Sequence, residues 1–312
     1  MKKKIAILGS TGSIGKSLLK IISRDKNNFE IKLLTANKNY KTLLKQAKYF
    51  NVKNIIITDK KSYNIAKNQN LKTKVKIYNN FDIYNKIFSK KIDYVMSSIV
   101  GLDGLYPTIN IIKFTKKLAI ANKETIICAW NLIQKKLNKH NTEFIPVDSE
   151  HFSIWYAVKN HPNKMIDKVY LTASGGSLLK IPLSKFSSMK PKNILKHPSW
   201  KMGKKITVDS STLINKVFEV IEAKKIFNLN YKQLNIIIHP QSYIHAIIKF
   251  TDGMIKIIAH DTTMEIPIFN SIYLNLKKKI KTNQIDFKKL NNLNFEKIDK
   301  KKFPSVKILN TF

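Results

Sequence analysis

The chain has 312 residues, 43% of them hydrophobic, enough to bury a sizeable core in two domains. Its formal charge of +37 arises from 57 basic against 20 acidic residues, but only Arg24 is an arginine, and scattered lysines of this kind argue against specific nucleic-acid readout. No apolar run reaches the roughly 18 residues of a membrane span, no signal peptide opens the chain, and the single Cys128 excludes an internal disulfide; a cytoplasmic protein whose charge attracts phosphorylated small molecules is expected.

The first apolar run, Lys4-Ile5-Ala6-Ile7-Leu8-Gly9, predicts a buried parallel strand. It opens into Gly9-Ser10-Thr11-Gly12-Ser13-Ile14-Gly15 and a helical pattern from Ser17 to Ile22. Glycines at such a turn let the backbone approach a pyrophosphate, and the N–H groups of a helix start attract it, so the turn is read as a dinucleotide site. Further strands are predicted at Glu30–Leu34, Asn54–Thr58, Lys74–Tyr78, Tyr94–Ser97, Leu118–Ala121 and Glu143–Val147, with helices such as Tyr40–Tyr49 and Leu105–Phe114 between them. This alternation predicts an α/β fold, a Rossmann-like doubly wound parallel sheet over residues 1–147. After the second strand, Thr35-Ala36-Asn37-Lys38-Asn39 offers no carboxylate for a ribose 2′-hydroxyl, whereas Lys38 suits a 2′-phosphate, so NADP is favoured over NAD. Ala121-Asn122-Lys123-Glu124 forms another polar loop at a strand end.

In Pro146-Val147-Asp148-Ser149-Glu150-His151, an extended backbone would point Asp148 and Glu150 to one side, as half of a hard-metal site. The same residues also read as a helix start, capped by Asp148 or Ser149. Beyond this point the alternation fades, and an α+β domain with an antiparallel sheet is expected over 148–276, followed by a lysine- and asparagine-rich connecting arm over 277–312. Ser174-Gly175-Gly176 offers a hydroxyl and backbone amides to phosphate. Breakers around Trp200, from Lys196 to Gly203, suggest a mobile lid. Val208–Glu219 reads as one helix starting near Asp209 or Ser210, with Ser211, Asn215, Glu219 and Glu222 as a polar stripe. Asp148, Glu150 and Glu219 together would make an oxygen-only site suited to Mg²⁺ or Mn²⁺ rather than zinc. Thr251-Asp252-Gly253 signals a hairpin between Ile244–Phe250 and Met254–Ala259, whose open edge could form a dimer.

These motifs, with His197-Pro198, Asn215-Lys216 and His239-Pro240-Gln241-Ser242, occur in the order and approximate spacing of the 1-deoxy-D-xylulose 5-phosphate reductoisomerase family, which the chain resembles over nearly its whole length. The resemblance implies conversion of 1-deoxy-D-xylulose 5-phosphate to 2-C-methyl-D-erythritol 4-phosphate in non-mevalonate isoprenoid synthesis, with NADPH as hydride donor and a divalent cation polarising the ketone. By position it implies Asp148, Glu150 and Glu219 as metal ligands, and Ser149, Ser174, Ser210, Asn215 and Lys216 as substrate contacts. His197, Trp200 and Met202 match the lid, and Lys123 a lysine near the substrate. The glycine turn from Gly9 to Gly15, Lys38, Asn39, Asn122, Glu124 and Gly203 match cofactor positions. A homodimer is implied as well.

Three residues depart from the family's pattern: Val217 and Asn37 replace usual glycines, and Glu265 stands where a basic residue is common. The family's C-terminal helical domain is expected to be missing, which leaves a non-catalytic NADPH- or polyanion-binding relic as the alternative reading. Semialdehyde dehydrogenases would need a nucleophilic cysteine, and Cys128 has no obvious activating partner. Short-chain dehydrogenases would want Tyr-x-x-x-Lys, and Tyr156 and Lys159 are one residue too close.

Overall fold

Short runs rich in Ile, Leu and Val become the strands of a seven-stranded parallel sheet of order β4-β3-β2-β1-β5-β6-β7. The computed structural model describes residues 2–69, 75–159, 165–200, 203–273 and 277–311. The strands are β1 (Lys3–Leu8), β2 (Phe29–Ala36), β3 (Asn54–Ile57), β4 (Lys76–Tyr78), β5 (Tyr94–Ser97), β6 (Lys117–Ile120) and β7 (Glu143–Pro146). Lys74, expected to open β4, lies outside the described residues. Helices α1 (Ser13–Ser23), α2 (Tyr40–Tyr49), α3 (Lys60–Gln69), α4 (Tyr84–Ile87), α5 (Leu105–Ile111) and α6 (Lys123–Lys139) alternate with them. Ile5, Ile7, Leu33, Ile55, Val95 and Leu118 are fully buried, as strands covered on both faces require. Because β1 pairs with both β2 and β5, the glycine turn at its carboxyl end lies where the strand order reverses, the usual ligand crevice of such sheets.

The chain forms two compact units, Met1–Val147 with Ile268–Lys277, and Asp148–Pro267 with Lys278–Phe312. The expected second domain over 148–276 therefore differs: its stretch from Ile268 onward belongs to the first unit. Tyr94 and Ser271 share a buried hydroxyl hydrogen bond of 2.7 Å, and the Tyr273 hydroxyl donates to Asp25 at 2.8 Å. Polar groups buried in pairs fix this return segment where a purely apolar contact would slide.

The second unit contains α7 (Ser149–Val158), β8 (Ile166–Ala173), α8 (Pro191–Ile194), α9 (Lys204–Ser211), α10 (Ile214–Phe227), β9 (Leu234–Ile238), β10 (Ile244–Phe250) and β11 (Ile255–Ala259). Its sheet, of order β11-β10-β8-β9, is mixed. β10 runs antiparallel to β8 and β11, as expected, but β8 and β9 are parallel. The long helical connection between β8 and β9 allows this, because parallel neighbours need a crossover and cannot be joined by a tight turn. α11 (Glu265–Ile272) and α12 (Phe287–Asn291) follow.

Residues after Lys277 are more than a connecting arm. Glu296 pairs with Ile238 at the free edge of β9, and Phe303 and Val306 are 2% and 8% exposed within a core shared with Ala173, Leu178, Leu213, Val217 and Ile238. Among the described residues no helix is long and apolar enough to cross a membrane.

Candidate active site

The carboxylate cluster belongs to the second unit and begins at a helix start. Asp148 is the N-cap of α7 by backbone position, yet neither its side chain nor that of Ser149 caps the helix. Ser149 Oγ instead donates to Glu150 Oε2 at 2.5 Å. α10 supplies the rest. Glu219, 1% exposed, lies at i+4 from Asn215 and i+3 from Lys216, so all three share one face. The Asn215 amide donates to Glu219 Oε1. Lys216 Nζ sits 2.5 Å from both Glu150 Oε1 and Glu219 Oε2. One oxygen from each of Asp148, Glu150 and Glu219 falls within 4.8 Å of the others, so the expected triad is assembled.

Charge in this cluster is unbalanced. Burial, the Glu219 carboxylate and then Asp148 push the Glu150 carboxyl up to about 7 against the opposing pull of Lys216. Burial also disfavours the Lys216 ammonium, but Glu150 and Glu219 outweigh it and hold its pKa above the usual value. Three carboxylates around one ammonium leave room for a further cation, and an all-oxygen donor set suits a hard divalent ion.

Two neighbours went unassigned in the sequence. His151, fully buried, donates from Nε2 to the Glu219 carbonyl at 2.8 Å, and its Nδ1 is 3.3 Å from Glu222 Oε2. Burial disfavours the imidazolium, but Glu222, Asp148 and Glu219 outweigh burial and keep its pKa raised. The signal was the Glu219–Glu222 spacing of three, which puts both carboxylates on the same side of α10.

A second constellation gathers hydroxyls. His197 Nδ1 accepts from the backbone N–H groups of Ser199 at 3.1 Å and Trp200 at 2.8 Å, so Nε2 carries the proton. That N–H is shared between Ser174 Oγ at 3.0 Å and Ser210 Oγ at 3.2 Å. Burial lowers the His197 pKa, in keeping with a neutral ring. Gly176, at φ +65°, brings the Ser174 loop against α9: a Cβ there would lie 2.6 Å from the Ser210 carbonyl oxygen. Trp200 meets His245 edge-on at 5.9 Å, and His245 stacks on His260 at 3.7 Å. Met202, the remaining lid residue, lies outside the described residues, and Gly203 is the N-cap of α9.

One expectation for this region is corrected. Val208–Glu219 is two helices, with Asp209 and Ser210 in the last turn of α9, not at a helix start. Asp209 there pairs with Lys205 at 2.8 Å, and the polar stripe is interrupted at Thr212-Leu213, where α9 ends and α10 begins.

In the first unit, Gly9 turns with φ +84°, and a Cβ on Gly15 would lie 2.5 Å from the Gly9 carbonyl oxygen. No side chain caps α1, whose first turn, Ser13, Ile14 and Gly15, follows Thr11 and Gly12. Ser10 is the exception among the turn residues. It is fully buried, its N–H donates to the Thr35 carbonyl at 2.9 Å, and its hydroxyl donates to Gln46 Oε1 at 2.8 Å. It braces the turn from within. Lys38 is exposed at the end of β2, and Asn39 caps α2 by accepting from Thr42 N. Asn122 caps α6 through Thr125 N at 2.9 Å and ties down the loop at Ile99 and Gly101. Lys123, 8% exposed, and Glu124 form the first turn of α6.

Comparison with known proteins agrees with both units. The family model described as 1-deoxy-D-xylulose 5-phosphate reductoisomerase matches residues 5–130, and its C-terminal domain model matches 144–227. The 1-deoxy-D-xylulose 5-phosphate reductoisomerase of Pelagibacter ubique is 62% identical over 310 residues, covering 99% of this chain and 80% of that protein. The corresponding protein of Phocaeicola vulgatus is 39% identical, covering 98% of this chain and 80% of its own length. Among solved structures, the Zymomonas mobilis reductoisomerase in complex with NADPH has a TM-score of 0.90 at 32% identity, covering 99% of this chain and 80% of that one. A reductoisomerase in complex with NADPH, fosmidomycin and magnesium has a TM-score of 0.90 at 31% identity, covering 99% and 79%. The chain belongs to the 1-deoxy-D-xylulose 5-phosphate reductoisomerase family.

Proposed function

We infer that the chain carries out the reaction of its family, the NADPH- and divalent-metal-dependent conversion of 1-deoxy-D-xylulose 5-phosphate to 2-C-methyl-D-erythritol 4-phosphate in isoprenoid biosynthesis. The observation that carries the site reading is one triad of carboxylates, half-buried at Asp148 and Glu150 and buried at Glu219, in the same unit as a cluster of neutral donors suited to phosphate. Asp148, Glu150 and Glu219 would hold Mg²⁺ or Mn²⁺. When bound, the cation supplies Lewis acidity to the substrate's ketone and adjacent hydroxyl.

The remaining work falls to the chain's own groups. Ser174, Ser210 and the Nε2–H of His197 converge on one point and offer hydroxyl and imidazole donors to a phosphate. Asn215 and Lys216 extend that set, because a divalent ion takes over the charge balance that the Lys216 ammonium now provides. Ser149 holds Glu150 by its short hydrogen bond. Trp200 supplies an apolar wall that excludes water from hydride transfer. Lys123 in the first unit is read as a lysine near the substrate, with Asn122 and Glu124 on the cofactor side. Thr11 to Gly15 and Lys38 are read as pyrophosphate and 2′-phosphate contacts; Ser10 is left to its structural part.

The direct test is NADPH oxidation by the protein with 1-deoxy-D-xylulose 5-phosphate, with Mg²⁺ and with chelator. Turnover in Mg²⁺ alone is expected, and metal-independent turnover would contradict the reading. Gly15→Ala should weaken NADPH binding by about tenfold or more, because overpacking against backbone costs about 1–3 kcal/mol and 1.4 kcal/mol is a factor of ten. Fluorescence titration of NADPH checks this, and an unchanged Kd would remove the turn from the cofactor site.

Acid should compete with the cation. Glu150 binds a proton below about pH 7 that a metal must displace, so Mg²⁺ affinity should fall as pH drops through about 7 and level off above it. Calorimetric titrations on either side of that pH check the sign. We also propose a cytoplasmic homodimer joined along β11, an edge strand whose Ile255 and Ile257 are 56% and 54% exposed. Sedimentation as a monomer would remove that part of the reading.

A further inference from the structure

The junction between α9 and α10 carries a left-handed backbone at a leucine. Leu213 has φ +59° and ψ 7°, and among the described residues it is the only positive-φ residue that is not Gly, Asn or Ser. Asn tolerates this region because its short polar side chain bonds locally; a leucine does not. Leu213 is also buried, at 2% exposed. Its N–H donates to the Ser210 carbonyl at 3.2 Å, and its own carbonyl accepts from Lys216 N at 3.0 Å and Val217 N at 3.1 Å. The residue therefore closes one helix and starts the next. Its conformation sets the direction from Ser210 on one side to Asn215, Lys216 and Glu219 on the other.

Nothing local favours that conformation, since no glycine or proline occurs between Lys204 and Phe227. The support comes from the far end of the chain. Phe303 and Val306 complete the core around Leu213 and Val217. Ser305 Oγ donates to the Thr212 carbonyl at 2.5 Å, and Lys302 Nζ donates to the Leu179 carbonyl, just beyond the Ser174–Gly176 loop. Val217, which departs from the family's usual glycine, lies within this same core at 1% exposed.

We propose that Phe303, Ser305 and Val306 are positioning residues: they hold Leu213 in its left-handed turn and thereby set where the α9 and α10 groups of the active site stand relative to one another. The proposal rests on the site reading above. It is tested by steady-state kinetics and thermal unfolding of full-length Phe303→Ala, Leu213→Gly, the double variant and Lys216→Met, with Mg²⁺ and NADPH present. Phe303→Ala should lower kcat/KM by about tenfold or more, because displacement of reacting groups by even 1 Å is costly. Glycine takes a positive φ without strain. Adding Leu213→Gly to Phe303→Ala should therefore recover activity severalfold, roughly half the loss or more on a logarithmic scale, although it deletes another buried side chain and lowers Tm further.

A merely structural role predicts the opposite order, with the double variant worst in both activity and Tm. That order, or an unchanged kcat/KM in Phe303→Ala, overturns the proposal. Should Phe303→Ala fold poorly, Ser305→Ala removes a single hydrogen bond and is expected to raise the sugar-phosphate KM by about two- to fivefold with little change in Tm; an unchanged KM overturns the proposal equally. Lys216→Met retaining full activity would overturn the site reading and this proposal together. Loss of activity in Lys216→Met with Phe303→Ala unaffected would overturn the brace alone.

Discussion

Glu219→Gln is expected to lower kcat/KM by at least ~100-fold, because residues one shell removed from a metal already cost 10- to 100-fold and this one is proposed as a direct ligand. The amide keeps the shape of the carboxylate, and with it an acceptor for the Asn215 amide, but would give the cation one anionic oxygen fewer. The same change relieves the repulsion that pushes Glu150 upward but gives up the Glu219–Lys216 ion pair. In chelator, with the two effects opposing, the variant should unfold close to the parent's temperature, while its Mg²⁺ requirement moves to higher concentration. Kinetics across a Mg²⁺ series, paired with thermal unfolding in chelator, read both effects. A variant that loses activity only in proportion to its stability would assign Glu219 to the core instead of the site.

Lys216→Met should produce the reverse pairing. The side chain is 5% exposed and bridges Glu150 and Glu219, so its removal leaves one half-buried and one buried carboxylate without their ammonium. Breaking a buried ion pair in this way costs about 3–5 kcal/mol. In chelator the variant should be severely destabilised. Saturating Mg²⁺ should restore much of the loss, since a divalent ion neutralises the same carboxylates and stabilises whatever state binds it. Activity should stay low even then, because the proposed contact of the Lys216 ammonium with the phosphate is lost. Thermal unfolding with and without Mg²⁺ measures the difference, and a destabilisation that Mg²⁺ leaves untouched would contradict a cation site at these residues.

Much of this arrangement could be read from residues close together in the chain. The run Lys4–Gly9, its glycine turn and the alternating strands and helices that follow carry local signals, so the parallel sheet and the place of its glycine turn were legible. Asp148 and Glu150 were legible as a pair, and Glu219 as a third carboxylate on the helix of Asn215 and Lys216. Whether the pair sat on a strand or at a helix start was open, and the structure makes it a helix start with Asp148 at the N-cap position.

What could not be read depends on distant partners. The apolar and polar periodicity of Val208–Glu219 is continuous, with no breaker, and a leucine has no tendency of its own toward φ +59°. Tertiary packing against Phe303 and Val306 decides the break. Ser10 looked like its neighbours in the turn, but Thr35 and Gln46, well down the chain, claim both its N–H and its hydroxyl. The return of the stretch from Ile268 to the first unit is similar: α11 gives no sign of a boundary, and contacts distant in sequence, among them the hydroxyl pairs with Tyr94 and Asp25 and the Lys3 bond to the Ile272 carbonyl, reveal where its end belongs.

The central claim is that Asp148, Glu150 and Glu219 form one cation site. Anomalous diffraction from crystals grown with Mn²⁺ tests it most directly, since manganese scatters anomalously where magnesium does not. The account predicts one peak bonded to an oxygen of each of the three carboxylates, at distances near the about 2.1 Å of a hard octahedral ion. A peak elsewhere, or none at the triad under conditions where Mn²⁺ supports turnover, would contradict it.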